Sequence, residues 1–262
     1  MTDVLSQRFA LACDIAKAAG KHTLRYFLQG DLQVDLKHDA TPVTIADREA
    51  EELIRKQIAG SFPSDGILGE ELSEKPGTSG WRWIIDPIDG TKSFIHGVPL
   101  YAVLIGVDFQ EQSRIGVIHL PALGQTVYAA TGQGAWQDRD NQKHQPIRVS
   151  QTKTLSDGLF LTSGISGFHR RGAWPAFERL TKTAKLTRTW GDAYGYMLVA
   201  TGEAEAMVDP QMSIWDAAAL LPILQEAGGT FTDWQGRPTI SAGEGIATNG
   251  LVLDEVLKYV RG

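Results

Sequence analysis

The segment Trp83-Ile84-Ile85-Asp86-Pro87-Ile88-Asp89-Gly90-Thr91-Lys92-Ser93-Phe94 gathers the residue types best suited to chemistry. Its apolar start reads as a buried strand that delivers Asp86 to its C-terminal end, and Pro87 fixes the turn that follows. Asp89 comes three residues after Asp86, so both carboxylates face one point if the turn is helical. Gly90 lets the backbone come close to a ligand. A helix starting here would leave the N–H groups of Gly90 and Thr91 pointing outward, where an anion binds well. Paired carboxylates beside free N–H groups suit a divalent cation and a phosphate held together. The plainer alternative is a strand-to-helix turn with aspartate caps.

Other acids join these on sequence grounds. Glu70 and Glu71 follow Gly66-Ile67-Leu68-Gly69. An acidic pair is usually solvated surface, but the apolar run before this one favours a buried position. Thr44-Ile45-Ala46-Asp47 and Ser213-Ile214-Trp215-Asp216 both fit a capping box. Capping places Asp47 and Asp216 in the first turn of a helix, which is compatible with a role in a site. Asp-Gly-Thr also occurs in phosphatases with an aspartyl nucleophile, but their motif is D-x-D-G-T. Here Pro87 stands two residues before Asp89, so direct attack by water is the better reading. No G-x-x-x-x-G-K-[ST] loop is present, which removes the common kinase reading.

The elements that must position these residues follow from periodicity. Apolar residues recur at helical spacing over residues 4–28 and again from Ala46 to Ile58, with Pro63 and Gly66 ending the second helix. Ile67-Leu68 is a short strand. Trp81–Ile85, Tyr101–Phe109, Arg114–His119 and Thr126–Ala130 read as strands, and the short turns between them favour antiparallel neighbours. The polar stretch Asp138–Pro146 marks the boundary between two halves, 1–140 and 141–262. Beyond it the pattern predicts strands at Gly158–Thr162 and Ala206–Asp209. It predicts helices at Ala173–Lys182, Ala193–Thr201 and Trp215–Ala227, the last kinked by Pro222 and stopped by Gly228-Gly229.

Composition narrows the class. The chain has 262 residues, 42% of them hydrophobic, which suits one large domain or two halves sharing a core. A formal net charge of −6 lacks the basic stripe of a nucleic-acid binder. No stretch approaches the ~20 apolar residues of a membrane span, and the N-terminus reads as no signal peptide. The single cysteine, Cys13, reads as helix packing and allows no intramolecular disulfide, which fits a cytoplasmic setting. The histidines His22, His38, His96, His119, His144 and His169 form no zinc pattern.

With these residues in view, the sequence resembles the inositol monophosphatase-like family of metal-dependent phosphatases over nearly its whole length. The matching pieces are Lys37-x-Asp39-x-Thr41-Pro42-Val43-Thr44-x-Ala46-Asp47, Gly69-Glu70-Glu71, the Asp86–Phe94 segment, and Trp215-Asp216-x-Ala218-Ala219 with Glu226-Ala227-Gly228-Gly229. Their order and spacing make the match far more specific than any one piece. The resemblance implies an α+β fold, a layered αβαβα sandwich of the inositol monophosphatase and sugar phosphatase type. It implies metal ligands at Glu70, Asp86, the carbonyl of Ile88, Asp89 and Asp216. These would hold two or three Mg2+ ions, with Mn2+ as the alternative. It further implies that Asp47 and Thr91 pair to activate the attacking water together with Glu70, that the N–H groups of Gly90 and Thr91 hold phosphate, and that the protein is a homodimer acting on a small phosphate ester.

Within that family three features look like the histidinol-phosphate phosphatase branch. They are Thr91-Lys92-Ser93-Phe94, Arg188-x-Trp190-Gly191-Asp192-x-Tyr194-Gly195-Tyr196, and Trp215-Asp216-x-Ala218-Ala219-Leu220-x-Pro222. Inositol phosphatases usually carry threonine and asparagine at Lys92 and Ser93, and a small residue at Leu220. A cationic substrate suits the remaining acids. Asp192 and Asp209 lie where relatives bind the alcohol part, and a carboxylate there can pair with an ammonium group. Trp190, following Arg188 and preceding Gly191, can offer a ring face to a cation, or simply pack in the core. Lys92 adds positive charge. Arg188 fits either a substrate contact or a bridge between subunits. The substrate expected on these grounds is L-histidinol phosphate, with inositol monophosphate, a 3′-phosphonucleotide, or a non-catalytic metal- and phosphate-binding role as alternatives.

Overall fold

The computed structural model describes residues 2–29, 33–37, 41–139 and 141–262. Asp39 of the first motif lies outside them. The first half opens with helix α1 (Thr2–Thr23), a small hairpin of β1 (Val34–Leu36) and β2 (Pro42–Thr44), and helix α2 (Ile45–Ser61). Strands β3 (Gly66–Gly69) and β4 (Trp81–Asp89) follow, then the short helix α3 (Thr91–Ile95). Strands β5 (Ala102–Phe109), β6 (Gln112–Leu120), β7 (Gln125–Ala130), β8 (Ala135–Arg139) and β9 (Gln142–Pro146) complete a seven-stranded sheet in sequence order. Every neighbouring pair in it is antiparallel except β3 with β4.

The second half contains β10 (Leu159–Leu161), α4 (Ile165–Arg170), α5 (Trp174–Thr183), β11 (Leu186–Arg188), α6 (Ala193–Ala200) and β12 (Ala206–Asp209). Then come α7 (Ile214–Ala217), α8 (Leu220–Glu226), β13 (Thr230–Thr232), β14 (Gly245–Thr248) and α9 (Leu253–Arg261). Its five strands form a mixed sheet in the order β11-β10-β12-β14-β13.

Strand alternation builds the layers. Trp83, Ile85, Val103, Ile105 and Val117 turn to one face and pack against Ala12, Ile15, Ile54 and Ile58 of α1 and α2. Their neighbours Ala102, Leu104, Ile118 and Val127 turn to the other face and meet Met197, Val199, Leu220 and Ile223 of α6 and α8. Leu161, Met207 and Ala247 of the second sheet close that middle layer. Phe160, Ala206, Val208 and Ile246 point away from it, onto Leu180 of α5 and Val256 and Val260 of α9. The order is therefore helix, sheet, helix, sheet, helix, the expected αβαβα sandwich.

Several expectations change in detail. The first helix stops at Thr23, whose hydroxyl donates to the Gly20 carbonyl (2.9 Å), and Leu28 beyond it has φ +65°. The polar stretch 138–146, read as a boundary, contributes to β8 and β9 on the edge of the first sheet; the chain crosses to the second sheet between Pro146 and Leu159. The helix expected from Trp215 to Ala227 is broken between α7 and α8. Pro222 has no N–H to offer the Ala218 carbonyl, so a rung is lost there. Ala218 and Ala219 nonetheless keep helical dihedrals, so the helix continues in the same line.

That broken helix lies directly on the first sheet, and two glycines allow it. A Cβ on Gly106 of β5 would sit 2.5 Å from the Ala218 side chain, and one on Gly116 of β6 would sit 2.0 Å from the Ala219 carbonyl oxygen. The same close approach lowers α7, with Asp216, onto β4 and β5 beside Asp86 and Asp89.

Candidate metal and phosphate site

In a regular strand, residues three apart point to opposite faces. Asp86 and Asp89 escape this rule through a bulge. Asp86 pairs with Leu104 and Asp89 with Ala102, so β4 spends one residue more than β5 over the same distance. The extra residue restores the parity, and both carboxylates face the same side. The helical turn expected at Pro87 is thus a bulged strand that still converges the two acids. Gly90 follows with φ +79°, a left-handed conformation that favours glycine, and starts α3. Phe94, Tyr101, Ile88 and Ala46 form a small apolar cluster that anchors this segment.

Carboxylate oxygens of Asp86, Asp89 and Asp216 all lie within 4.8 Å of one another. Each acid is fixed by a backbone N–H. Ile88 donates to Asp86 (3.0 Å), Ala193 to Asp89 (2.7 Å) and Ser213 to Asp216 (2.6 Å). Among the described residues no ion pair neutralises the three. Burial pushes Asp86 and Asp89 well above the usual carboxylate range, and the neighbouring negative charges push the same way. Burial likewise pushes Asp216 up to about 7. Glu70, after β3, lies beside the Asp86 carboxyl, and its charge adds to the rise there. Lys37 of the β1–β2 hairpin donates to Glu70 (2.6 Å) and to Glu71 (2.7 Å). Burial also raises Glu71, to about 7.

A concentration of buried like charge is costly unless something positive joins it. The set is all oxygen, hard and closely grouped, which suits Mg2+ or Mn2+ and not a soft or zinc-type ion. The residues therefore fit a divalent cation. Asp47 does cap α2 through one oxygen, which accepts from the Thr44 N–H (2.8 Å) and hydroxyl (2.6 Å). Its other oxygen faces the Thr91 hydroxyl at 3.5 Å, and that hydroxyl also lies 3.1 Å from the Ile88 carbonyl. Burial raises Asp47 despite its bonds to Thr44.

Beside the cluster the cleft, ≈ 1050 Å³ in volume, runs past Gly90, Thr91 and Lys92 toward Asp192 and Asp209. Asp192 opens α6, and its carboxylate would lie 2.8 Å from a Cβ on Gly90. Asp209 ends β12 and is served from within the protein. It accepts from the Thr162 hydroxyl (3.1 Å), the Ser163 N–H (2.8 Å) and hydroxyl (2.7 Å), and the Tyr196 hydroxyl (2.9 Å). Burial raises both acids, and the charge of Asp209 adds to the rise at Asp192. Gly191 packs against Ser163, whose Cα would be 2.3 Å from a Cβ there. Among the described residues, Arg188, Trp190 and Gly191 do not line the cleft. Trp190 is 41% exposed, with the Arg188 guanidinium 6.0 Å over its ring.

Several residues of the site carried no role in the sequence reading. Lys37 stood in a quoted motif, but only the fold brings the hairpin to Glu70. Tyr196 also stood in a quoted motif, without a role, and Ser163 had no signal, because its partner Asp209 is remote in sequence. Glu51 had one, lying a helical turn beyond Asp47 on the same face.

Known proteins agree with this architecture. The model of the inositol monophosphatase family matches residues 4–261. The chain is 47% identical over 238 residues to a histidinol-phosphatase of Chlorobaculum parvum, covering 91% of this chain and 90% of that protein. It is 42% identical to a histidinol-phosphatase of Streptomyces coelicolor, covering 95% of each. The crystal structure of the extragenic suppressor protein suhB from Bartonella henselae superposes with a TM-score of 0.88 at 30% identity, covering 96% of this chain and 97% of that one. Among the described residues no helix is long and apolar enough to cross a membrane. The chain belongs to the inositol monophosphatase family and is a phosphoric monoester hydrolase.

Proposed function

We propose that this enzyme hydrolyses L-histidinol phosphate to L-histidinol and phosphate, with Mg2+ held by Glu70, Asp86, the Ile88 carbonyl, Asp89 and Asp216. The observation that carries the metal reading is the close convergence of buried Asp86 and Asp89 with half-buried Asp216, their charge unbalanced. Bound there, the cations would lower the pKa of water and offset charge on the phosphate and the departing alkoxide. The chain does the rest. Asp47 and Thr91, with Glu70, orient the attacking water and take its proton. The N–H groups of Gly90 and Thr91 face the phosphate oxygens, and Lys92 adds positive charge at the cleft. On this reading the first half supplies most of the ligands and the second completes the site with Asp216, Asp192 and Asp209. A homodimer and a cytoplasmic setting belong to the same proposal; the first rests on the family resemblance, the second on the single cysteine.

For the substrate, Asp192 and Asp209 favour an alcohol bearing an ammonium group, and the relatives named above point the same way. Phosphate release with Mg2+ from L-histidinol phosphate, inositol 1-phosphate and 3′-phosphoadenosine 5′-phosphate tests this. A preference for histidinol phosphate of roughly a hundredfold in kcat/KM is expected; a preference for either of the others overturns the assignment. Asp192→Ala should cost histidinol phosphate roughly tenfold to a hundredfold, the worth of a charge-assisted hydrogen bond, and inositol phosphate much less. Equal losses would remove ammonium pairing as the basis of choice.

A further inference from the structure

Helix α2 places Asp47 and Glu51 one turn apart on one face. Asp47 faces Thr91, whereas Glu51 lies under the turn that carries Glu70. The Glu51 carboxylate is fully buried. Its Oε2 accepts the N–H of Glu71 (2.8 Å), and its Oε1 accepts the N–H of Leu72 (3.3 Å) and the Nε–H of Arg55 (2.7 Å). Arg55 also donates to the Leu72 carbonyl (2.9 Å), so the guanidinium clasps the carboxylate and the turn together. On the other side of Glu70 the carboxylate presses on Gly69, where a Cβ would lie 2.0 Å from Oε1. The Glu70 N–H itself donates to the Ile85 carbonyl (3.2 Å), immediately before Asp86.

Glu70 is thus held from three directions. Gly69 rests on Glu51, the Glu71 N–H is bound by Glu51, and the Glu70 N–H is tied to β4. We infer that Glu51, clasped by Arg55, is a positioning residue that fixes the Glu70 carboxylate against Asp86 and so sets the affinity of the site for its cation. The inference rests on Glu70 being a metal ligand, as proposed above. An ion pair with one fully buried and one partly exposed member is weak evidence for a gain in stability, since apolar replacements often do as well. Glutamine at this position would keep one acceptor oxygen and turn an NH2 group toward the Leu72 N–H or the guanidinium. The turn would then be held at one point in place of two.

The test is calorimetric titration of Mg2+ into metal-free protein, with thermal unfolding recorded alongside. Glu51→Gln should weaken Mg2+ binding roughly tenfold or more, as loss of a residue supporting a ligand does. In a Glu70→Gln background the same substitution should add nothing, because the ligand through which it acts is gone. An unchanged Mg2+ affinity, or a loss that adds fully to that of Glu70→Gln, overturns the positioning role. If Glu51→Gln does not fold, Arg55→Gln, which alters a partly exposed residue, should weaken Mg2+ binding less but in the same direction and vanish in the Glu70→Gln background. Failure to do so counts equally against the inference. Mg2+ affinity unaffected by Glu70→Gln alone would instead overturn the ligand assignment itself.

Discussion

Asp65 and Asp86 lie toward opposite ends of the parallel strands β3 and β4, both buried, in contrasting company. Asp65 receives two hydrogen bonds from Arg8 (both 2.8 Å), one from Ser79 (2.7 Å) and one from the Trp83 indole (2.9 Å). Arg8 is itself enclosed between the rings of Phe62 and Trp81. Burial works to raise Asp65, but these bonds outweigh it and hold the carboxyl below its ordinary range. Asp86 meets Glu70, Asp89 and Asp216, and burial together with those charges drives it far upward. One acid has all its partners inside the protein and fastens α1 to the sheet. The other is arranged for a partner that the polypeptide does not supply. Between these two acids, the donors or like charges that surround each carboxylate, and not burial, set the difference.

The sharpest way to break this contrast is to neutralise Asp86. Asp86→Asn should lower kcat/KM roughly 1000-fold, as the removal of a group that stabilises transition-state charge does. The thermal midpoint of the EDTA-treated protein should hold or rise, since a buried like charge is removed. A folded variant with near-normal turnover would end the distinction. The mirror experiment is Asp65→Asn. It leaves Arg8 buried without its counter-ion and should cost about 3 kcal/mol in denaturant unfolding. The kcat/KM of the folded fraction should stay unchanged. A selective loss of turnover, with stability intact, would place Asp65 among the functional acids.

How much of this contrast the sequence revealed depends on its range. The acids of the Asp86–Phe94 segment stood out because an apolar strand, a proline and a glycine surround them within a few residues. Asp47 and Asp216 were visible as helix caps, and both do cap their helices. Antiparallel neighbours in the first sheet followed from short turns, whereas the layers came only from the family resemblance. The convergence of Asp86 with Asp89 was anticipated for a different reason, a helical turn, because a bulge depends on the register with β5 and no local signal encodes that register. Asp65 was not singled out, since its four donors come from three separate segments. Glu51 was passed over because, apart from Arg55 one helical turn on, its partners are backbone N–H groups, which every residue has. Trp190 and Arg188 show the converse. Their neighbour Asp192 lines the cleft, whereas both are exposed and outside its lining.

The smallest expected effect comes from pH, and the two regions predict it with opposite sign. A carboxyl raised in the folded state contributes stability below its unfolded value and loses it as pH climbs through the folded one. For Asp216 that window runs from its ordinary value of 3.8 to about 7, so this cluster makes the metal-free protein less stable as pH rises across it. Asp65, held low, contributes above 3.8 and loses its contribution only in stronger acid. His119 also titrates in the first window. Burial lowers it to about 4 from 6.5, so the folded protein gains stability as pH rises between those values, against the trend of Asp216. Melting curves with EDTA therefore mix the two. The difference between curves with Mg2+ and with EDTA does not, because His119 is common to both. That difference should widen by roughly 3 °C or more from pH 5 to pH 7.5, the shift that about 1 kcal/mol produces in a domain of this size. A difference that stays constant over this range would mean that the acids of the cluster ionise freely without a cation. The separation of the two regions by charge balance would then fail.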